Sequence, residues 1–315
     1  QYSNPKRNLI MTITLEPSSH YRLYSDMHLD MYVQKKFQPS QLWEPEVLLE
    51  DSESTLILAG DIWHSKKPFS FSNYSWFGKM TQRFKYVLVV LGNHDFWGGT
   101  FPTEYKNFER YKNEQKLNNL FLLQDITILM GDYKIIGSTL WTSLQDRSSA
   151  IMEQFNKTNN DLRYMRWHDS RYPNTYKKAS AKPFLEAFNK SKHYIFENAV
   201  KDYPEQKIFV ISHHPPSKVL ATDPDLTDID FAINTNNLDD LISQSNIDVW
   251  MHGHVHQSGK AKIGNTEIIA NTVGYAISPD FNAKFNSLYN PWYQEKFENS
   301  NSLNLQQNQK NTLKF

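Results

Sequence analysis

The chain has 315 residues, of which 39% are hydrophobic and 22% are charged, and these proportions are typical of an ordinary globular protein. Lys plus Arg equals Asp plus Glu at 34 each, so the net charge gives no reason to expect nucleic acid or an acidic membrane as the main partner. There is no cysteine, which excludes disulfides and thiolate metal sites, and no apolar run approaches the roughly 20 residues that span a bilayer. We therefore expect a soluble, cytoplasmic protein in which any metal is held by oxygen and nitrogen atoms.

Five short apolar runs predict buried strands, and each run ends in a cluster of polar residues. In chain order, the runs are residues 21–25, 55–59, 86–91, 207–212 and 247–251. The polar residues that follow them are, run by run, Asp26 with His28, Asp61, Asn93 with His94, His213 with His214, and His254 with His256. Ligands of open α/β sheets bind at the carboxyl ends of the strands. The five clusters are therefore expected to meet in one site.

Two further pairs of apolar runs predict β-hairpins, because each pair flanks a dipeptide that suits a tight turn with positive φ. The turns are Gly131-Asp132 and Gly264-Asn265. The runs on either side of them are residues 126–130 and 133–140, then 261–263 and 266–270. Together with the buried strands, the hairpins indicate an α/β protein.

Residues 141–202 have a different composition, rich in aromatic and charged side chains. Apolar residues recur there at helical spacing behind Pro183, which suits a first helical turn: Phe184, Phe188, Ile195 and Ala199. We interpret the segment as a largely helical insertion that covers the strand ends, within a single domain of residues 1–298. Residues 299–315 are rich in Asn, Gln and Ser and are expected to form a mobile tail.

The polar clusters carry the residue types that bind hard or borderline cations such as Mn, Fe, Zn, Ni or Mg. Asp61 follows Gly60, which lets the backbone pass close to the site, and a single carboxylate there can bridge two cations. Two cations about 3.5–4 Å apart can lower the pKa of a bridging water and hold a phosphoryl group for in-line attack. His94 adjoins Asn93 and is placed to protonate the leaving oxygen.

Taken singly, most of these residues have a more common structural role. Asp26 alone would be a cap, Asn93 a turn residue, and His213 a hydrogen-bonded histidine near a strand end. His254 and His256 are more specific, because alternating histidines around a glycine seldom serve packing. Chance placement of every polar group at the same strand ends has a very small prior probability, which favours a metal site.

Five ordered segments resemble the motifs of the calcineurin-like metallophosphoesterases. The resemblance covers most of the chain, roughly residues 21–275. The segments are Asp26-Met27-His28, Gly60-Asp61, Gly92-Asn93-His94-Asp95, His213 and Gly253-His254-Val255-His256. The resemblance implies a four-layer α/β/β/α sandwich, with two β-sheets and helices on both outer faces. It also implies one metal on Asp26, His28, Asp61 and His256, a second on Asp61, Asn93, His213 and His254, and His94 as the proton donor.

Two other segments resemble a bacterial and phage subgroup of that superfamily. They are residues 138–142, Ser-Thr-Leu-Trp-Thr, and residues 271–275, Asn-Thr-Val-Gly-Tyr. The second departs from the familiar form, which has Pro-Arg where this chain has Thr272-Val273. A substrate contact by that arginine would therefore be missing here.

The function expected from these observations is hydrolysis of phosphate mono- or diesters by a metal-bridging hydroxide, on a small molecule such as a nucleotide. A nuclease is the first alternative, although the neutral charge and the absence of Lys/Arg clusters argue against it. An inactive interaction scaffold is the second, but this chain keeps all seven ligands and His94.

Three residues outside the ligand set are weak candidates for substrate binding. His214 follows a ligand and either supports it or faces the substrate. Arg166 and Trp167 lie in the insertion, where a guanidinium can pair with phosphate and an indole can stack on a base. The alternative for the insertion is a helical cap with aromatic side chains packed inward and arginines in water.

Overall fold

Two β-sheets form the centre of the computed structural model. The structure describes residues 12–34, 42–63, 76–101, 103–145, 147–168, 176–178, 180–275 and 288–298. The predicted tail at 299–315 lies outside these residues. No helix in the described ranges is long and apolar enough to cross a membrane.

The smaller of the two central sheets has five strands and contains three of the predicted strands. Its order is β15-β2-β3-β4-β6, with β2 to β6 parallel and β15 antiparallel to β2. The strands are β2 His20–Tyr24, β3 Ser54–Ala59, β4 Tyr86–Val90, β6 Leu120–Leu122 and β15 Glu295–Lys296.

The larger sheet has seven strands, in the order β1-β7-β8-β11-β12-β14-β13. They are β1 Thr12–Leu15, β7 Ile126–Met130, β8 Tyr133–Ser138, β11 Lys207–Ser212, β12 Val249–His252, β13 Gly259–Ile263 and β14 Thr266–Ala270. The pairs β7–β8 and β13–β14 are antiparallel, which confirms both predicted hairpins. The strands β8, β11, β12 and β14 run parallel to one another.

The two sheets pack face to face because alternate residues of their strands are apolar. One buried cluster contains Leu23 and Ile57 of the five-stranded sheet together with Ile135, Phe209 and Ile211 of the seven-stranded sheet. The residues that alternate with these along the same strands point outward and pack against helices. This arrangement confirms the α/β/β/α sandwich.

The helices cover both outer faces of the sandwich. They are α1 Leu29–Gln34, α2 Trp76–Arg83, α3 Thr103–Glu114, α4 Ser149–Thr158, α5 Asn160–Tyr164, α6 Ala181–Asn198, α7 Asp228–Asn234 and α8 Asp239–Ser243. Short 3₁₀ helices occupy Leu49–Glu53 and His94–Phe96. Helices α2 and α3 contact the five-stranded sheet, and α6 contacts β8 of the other sheet. The periodic apolar residues of α6 are buried, as their spacing predicted.

The described part of residues 141–202 contains three helices but also a strand pair that we did not predict. β9 Arg166–His168 pairs antiparallel with β10 Tyr176–Lys178 and parallel with β5 Thr100–Phe101. Arg166 therefore lies in a strand rather than in a helical cap. The backbone N–H of Arg166 donates to the carbonyl of Gly99, so the conformation of Arg166 depends on a distant segment that local sequence cannot reveal.

Candidate metal centre

The five predicted polar clusters meet where β2, β3, β4, β11 and β12 end. The backbone turns abruptly at these positions, and five of the seven proposed ligands have a positive φ. They are Asp26 (57°), His28 (46°), Asp61 (55°), His254 (74°) and His256 (53°). The left-handed conformation costs an L-residue roughly 1–2 kcal/mol. Backbone strain of this kind concentrates at functional sites, where it aims side chains that a regular strand would point elsewhere.

Two glycines let the backbone approach the ligands closely. Gly60 has φ +89°, and a side chain there would collide with the ring of His213. A Cβ on Gly253 would lie 2.6 Å from Oδ2 of Asp26. Both glycines are therefore required by the packing of ligand side chains against the main chain.

The first cluster consists of Asp26, His28 and His256, whose ligand atoms lie within 4.8 Å of one another. Nε2 of His28 is 3.0 Å from Nε2 of His256, which in turn is 3.4 Å from Oδ1 of Asp26. Two imidazole nitrogens at this distance must share either a proton or a cation. The backbone N–H of His254 donates to both carboxylate oxygens of Asp26, which fixes the orientation of that carboxylate.

The second cluster consists of Asp61, His213 and His254, joined by Asn93. Oδ1 of Asn93 lies 3.0 Å from Nε2 of His213 and 3.1 Å from Nδ1 of His254. Oδ1 of Asp61 is 3.4 Å from Nε2 of His213. The other ring nitrogen of His213 lies 2.8 Å from the carbonyl of Ala59, so Nε2 is the nitrogen that faces the cluster.

Asp61 lies between the two clusters and faces each with a different oxygen. Oδ1 is directed toward His213, and Oδ2 lies 3.9 Å from Nε2 of His28. Oδ1 also accepts a hydrogen bond of 2.8 Å from the backbone N–H of His94. This is the geometry that a carboxylate shared by two cations requires.

The electrostatics of the centre are those of a cation site. Burial opposes ionisation of Asp61, but His213, His94 and His28 outweigh it and hold the pKa of Asp61 well below its usual value. Burial and the neighbouring histidines hold the pKa values of His28 and His254 well below 6.5, so both rings are neutral and offer lone pairs. Neutral imidazoles, carboxylates and one amide oxygen are ligands suited to a hard or borderline divalent metal.

The ring of His94 lies beside the ligands and stacks on an indole. Its centroid is 3.5 Å from that of Trp97 with an interplanar angle of 24°, and 4.5 Å from the ring of His28. Burial lowers the pKa of His94 to about 4. His94 also forms a possible ligand group with His28 and Asp61, so its position suits either proton donation or coordination.

A cleft of about 370 Å³ opens over both clusters. The cleft is lined by the junction of α4 and α5, at residues 158–161, and by α7 with the chain before it, at 223–234. Helices α4 and α7 contact each other. His94, Trp97 and Tyr275 also line the cleft. Part of the insertion thus lies directly over the proposed ligands.

Two of the three substrate candidates lie outside the described lining of the cleft. His214 is 2% exposed, and its ring packs 4.2 Å from that of His254 and 5.3 Å from that of Trp141. His214 therefore packs against the proposed ligand His254, and it is not among the described residues that line the cleft. Arg166 is exposed and also lies outside that lining. The side chain of Trp167 lies outside the described part of the structure.

Three other residues contact the site, and sequence reasoning gave them no role. Trp97 stacks on His94, and its spacing of three residues from His94 was an available signal. The ring of Tyr275 lies 4.6 Å from the rings of both His28 and His256. Asp161 hydrogen-bonds to Asn93 from 68 residues away, and no pattern in the sequence indicated this contact.

Comparison with known proteins identifies the family. Residues 22–258 match the calcineurin-like phosphoesterases, and the chain belongs to this family of metal-dependent hydrolases that act on phosphate esters. An uncharacterised protein of Acanthamoeba polyphaga mimivirus is 24% identical over 274 residues, which cover 81% of this chain and 91% of the relative. The crystal structure of the phosphopantetheinyl hydrolase PptH from Mycobacterium tuberculosis superposes with a TM-score of 0.60 at 14% identity, covering 89% of this chain and 96% of that one.

Proposed function

We propose that the protein is a two-metal phosphoesterase that hydrolyses a mono- or diester of a small molecule such as a nucleotide. The observation that carries the proposal is the position of Asp61, which faces two separate groups of ligand atoms below one cleft. Asp26, His28 and His256 would complete the first metal site. Asn93, His213 and His254 would complete the second.

The residues of the centre would have different roles in ester hydrolysis. Two bound divalent cations would lower the pKa of a shared water and neutralise charge on the phosphoryl group. The metal ligands would determine where the phosphoryl group of a bound substrate lies relative to the side chain of His94. That side chain lines the cleft and would protonate the leaving oxygen.

The charge of the cleft favours a small substrate over nucleic acid. The described residues that line it include Asp61, Asp161, Asp223 and Asp230, and none of them is Lys or Arg. Proteins that bind nucleic acid neutralise successive phosphates with Lys and Arg side chains. A cleft lined in this way would repel the flanking phosphates of a polymer, whereas a single phosphate would be neutralised by the metals.

The insertion supports the same conclusion. Its α4–α5 junction lines the cleft together with α7, which packs against α4. Elements that cover a site exclude water and restrict the length of a bound chain. We propose that residues 141–202 act as this cover within a single domain.

The test is a panel of substrates with Mn²⁺ added to the metal-depleted protein. The panel contains p-nitrophenyl mono- and diesters, mononucleotides, a phosphopantetheine ester and long single-stranded DNA. The phosphopantetheine ester is included because PptH shares the fold. We expect turnover of at least one small ester that is faster than DNA cleavage and is abolished by EDTA. Faster cleavage of DNA would favour a nuclease, and no turnover of any substrate by the metal-loaded protein would contradict the proposal.

A further inference from the structure

Asp161 is a buried carboxylate from the insertion that reaches the metal centre. It lies in the first turn of α5 and is 6% exposed. Its Oδ1 accepts two hydrogen bonds, one of 2.9 Å from Nδ2 of Asn93 and one of 2.7 Å from Nε1 of Trp97. Both donors are more than sixty residues earlier in the chain. A single oxygen atom therefore joins the insertion to two residues of the site.

The first contact determines which end of the Asn93 amide faces the second ligand cluster. A carboxylate oxygen accepts hydrogen bonds and cannot donate them, so it binds the N–H₂ end of the amide. The amide oxygen is then directed toward His213 and His254, at 3.0 and 3.1 Å. A reversed amide would direct N–H groups at the place of a cation and would provide no ligand there.

The second contact fixes the plane of the indole on which His94 stacks. Trp97 has one N–H donor, and that donor is used by Asp161. The face of the indole lies 3.5 Å from the ring of His94 between centroids. Loss of the hydrogen bond would remove the polar contact that sets the orientation of the indole, and the surface on which His94 stacks would be held only by its packing, including that on Tyr164.

The helix that carries Asp161 is itself held firmly. The side chain of Asn159 caps α5 and accepts from the backbone N–H groups of Asp161 and Leu162. The side chain of Leu162 is buried in the core. The backbone N–H of Gly98 donates to the carbonyl of Tyr164 at 2.7 Å, which ties the end of α5 to the loop after His94. The carboxylate is thus presented from a fixed position.

We propose that Asp161 is a positioning residue that orients the amide of Asn93 toward the second metal and holds Trp97 against His94. The insertion is on this view part of the metal centre as well as its cover. The inference rests on the proposed function only for the role of His94. Its claim about Asn93 concerns metal binding, which can be measured without any substrate.

The test compares Mn²⁺ binding in four forms of the full chain by calorimetric titration. They are the wild type, Asp161→Leu, Asp161→Asn and Leu162→Ala. Asp161→Leu removes the acceptor and should weaken one of the Mn²⁺ sites about 10–100-fold, the usual effect of losing a group that orients a metal ligand. Asp161→Asn keeps an oxygen that can accept both hydrogen bonds and should bind Mn²⁺ within a few-fold of the wild type. Leu162→Ala should lower the melting temperature with wild-type affinity, because it weakens the same helix without touching the acceptor.

Each outcome supports or overturns the proposal. Wild-type Mn²⁺ affinity in Asp161→Leu, with only a lower melting temperature, would show that Asp161 merely holds α5 in place and would overturn it. Equal weakening in Asp161→Leu and Asp161→Asn would mean that the negative charge, and not the orientation of the amide, supports the metal, and would also overturn it. If Asp161→Leu does not fold, Asp161→Ala removes the same acceptor without adding bulk.

A second variant separates this inference from the proposed function. Trp97→Phe removes the indole N–H but keeps an aromatic ring, so it should leave Mn²⁺ affinity unchanged and slow only esters with poor leaving groups. Mn²⁺ binding that depends on Asp161 in a protein that hydrolyses no ester would uphold the role in orienting Asn93 and refute the proposed function. Ester hydrolysis by a protein whose Mn²⁺ affinity is unchanged in Asp161→Leu would uphold the proposed function and refute the role in orienting Asn93.

Discussion

Two of the regions in which the described residues bury charged groups treat those groups in opposite ways. The first is the metal centre. The second, which we term the arginine network, consists of Arg22, Asp51 and Arg83, with the hydroxyl and carbonyl groups around them. Arg22 donates to Asp51 Oδ1 at 2.8 Å and to the hydroxyl of Tyr24, and Arg83 donates to Asp51 Oδ2 at 2.6 Å. The remaining guanidinium N–H groups reach the carbonyls of Pro45, Glu46, Pro291 and Tyr293.

In the arginine network every contact joins a donor to an acceptor. In the metal centre several ligand atoms converge within hydrogen-bond distance, as with the two Nε2 atoms of His28 and His256 or the oxygen of Asn93 between two imidazoles. Each such set of atoms is held together by a shared proton or by a cation. Buried polar groups normally find partners, because leaving them without one is costly. A buried cluster of converging imidazole, carboxylate and amide ligand atoms can be completed by a cation, whereas the arginine network already pairs its charged donors with acceptors.

The backbone conformation also differs between the two regions. Arg22, Asp51 and Arg83 all lie in regular elements with ordinary φ values. The metal centre has five ligands in the left-handed region. Of these two regions, only the metal centre has this backbone strain. The arginine network serves to join residues 42–53 and 288–298 to the five-stranded sheet.

The largest effect is expected from Asp61→Asn in the metal centre. It should lower kcat/KM by about 10³-fold or more, because a shared carboxylate is lost and the metals supply several kcal/mol of stabilisation to the transition state. Asn keeps an oxygen for the backbone N–H of His94. The free energy of unfolding of the metal-free protein should therefore change by less than about 1 kcal/mol. Substrate turnover and denaturant unfolding in parallel measure both quantities, and unchanged turnover would remove Asp61 from the mechanism.

The opposite result is expected from Asp51→Ala in the arginine network. Removing the one acidic side chain that pairs with both arginines should lower the free energy of unfolding by about 3–5 kcal/mol, the usual cost of leaving a buried charge unpaired. The folded fraction should retain its kcat/KM within about a factor of two. Loss of activity in folded Asp51→Ala would break the distinction between the two regions.

A smaller and more selective effect is expected from His94→Ala. Turnover of esters with poor leaving groups should fall roughly 10²–10⁴-fold, because no side chain then protonates the leaving oxygen. p-Nitrophenyl esters should lose much less, since p-nitrophenolate departs without a proton. The control is Mn²⁺ content, which should equal that of the wild type. Equal losses on both substrates would count against the acid role, and loss of an ion would indicate that His94 is a ligand.

The smallest effect is expected from Arg166→Ala. The side chain of Arg166 is exposed and lies outside the described lining of the cleft, so KM for a mononucleotide should change by less than about twofold. Trp97→Phe provides the contrast. Trp97 lines the cleft, so this variant should slow turnover of an ester with a poor leaving group, whereas Arg166→Ala should not. A clear rise in KM for Arg166→Ala alone would place substrate outside the cleft described above.

The strands, the α/β class and the meeting of the ligand residues could be predicted from the sequence because they depend on local patterns, whereas the two-sheet sandwich was implied by the family resemblance. Alternating or continuous apolar runs define the strands, and the carboxyl ends of parallel strands meet at one edge. The polar residues that follow the strand ending at Ala59 and the strand ending at Ser212 could thus be assigned to the same site without any knowledge of their neighbours.

The contacts made by the insertion could not be predicted, because they depend on tertiary pairing. The strand at Arg166 exists through its partner at Thr100, and the hydrogen bond from Asn93 to Asp161 bridges 68 residues. A lone aspartate in a polar helix start has many commoner roles, so nothing in the sequence distinguished Asp161 from its neighbours. The arginine network was missed for the same reason, since Arg22 lies in a strand whose other residues are apolar or aromatic.

The most direct test of the central claim is the number of divalent ions that the folded chain holds. Elemental analysis after Mn²⁺ reconstitution and removal of free metal should give about two ions per wild-type chain, as a carboxylate shared between two sites requires. Asp61→Asn should hold fewer, and Asp51→Ala, where folded, should hold the same number as the wild type. One ion or none in the folded wild-type protein, or a full complement in Asp61→Asn, would contradict a two-metal centre built around Asp61.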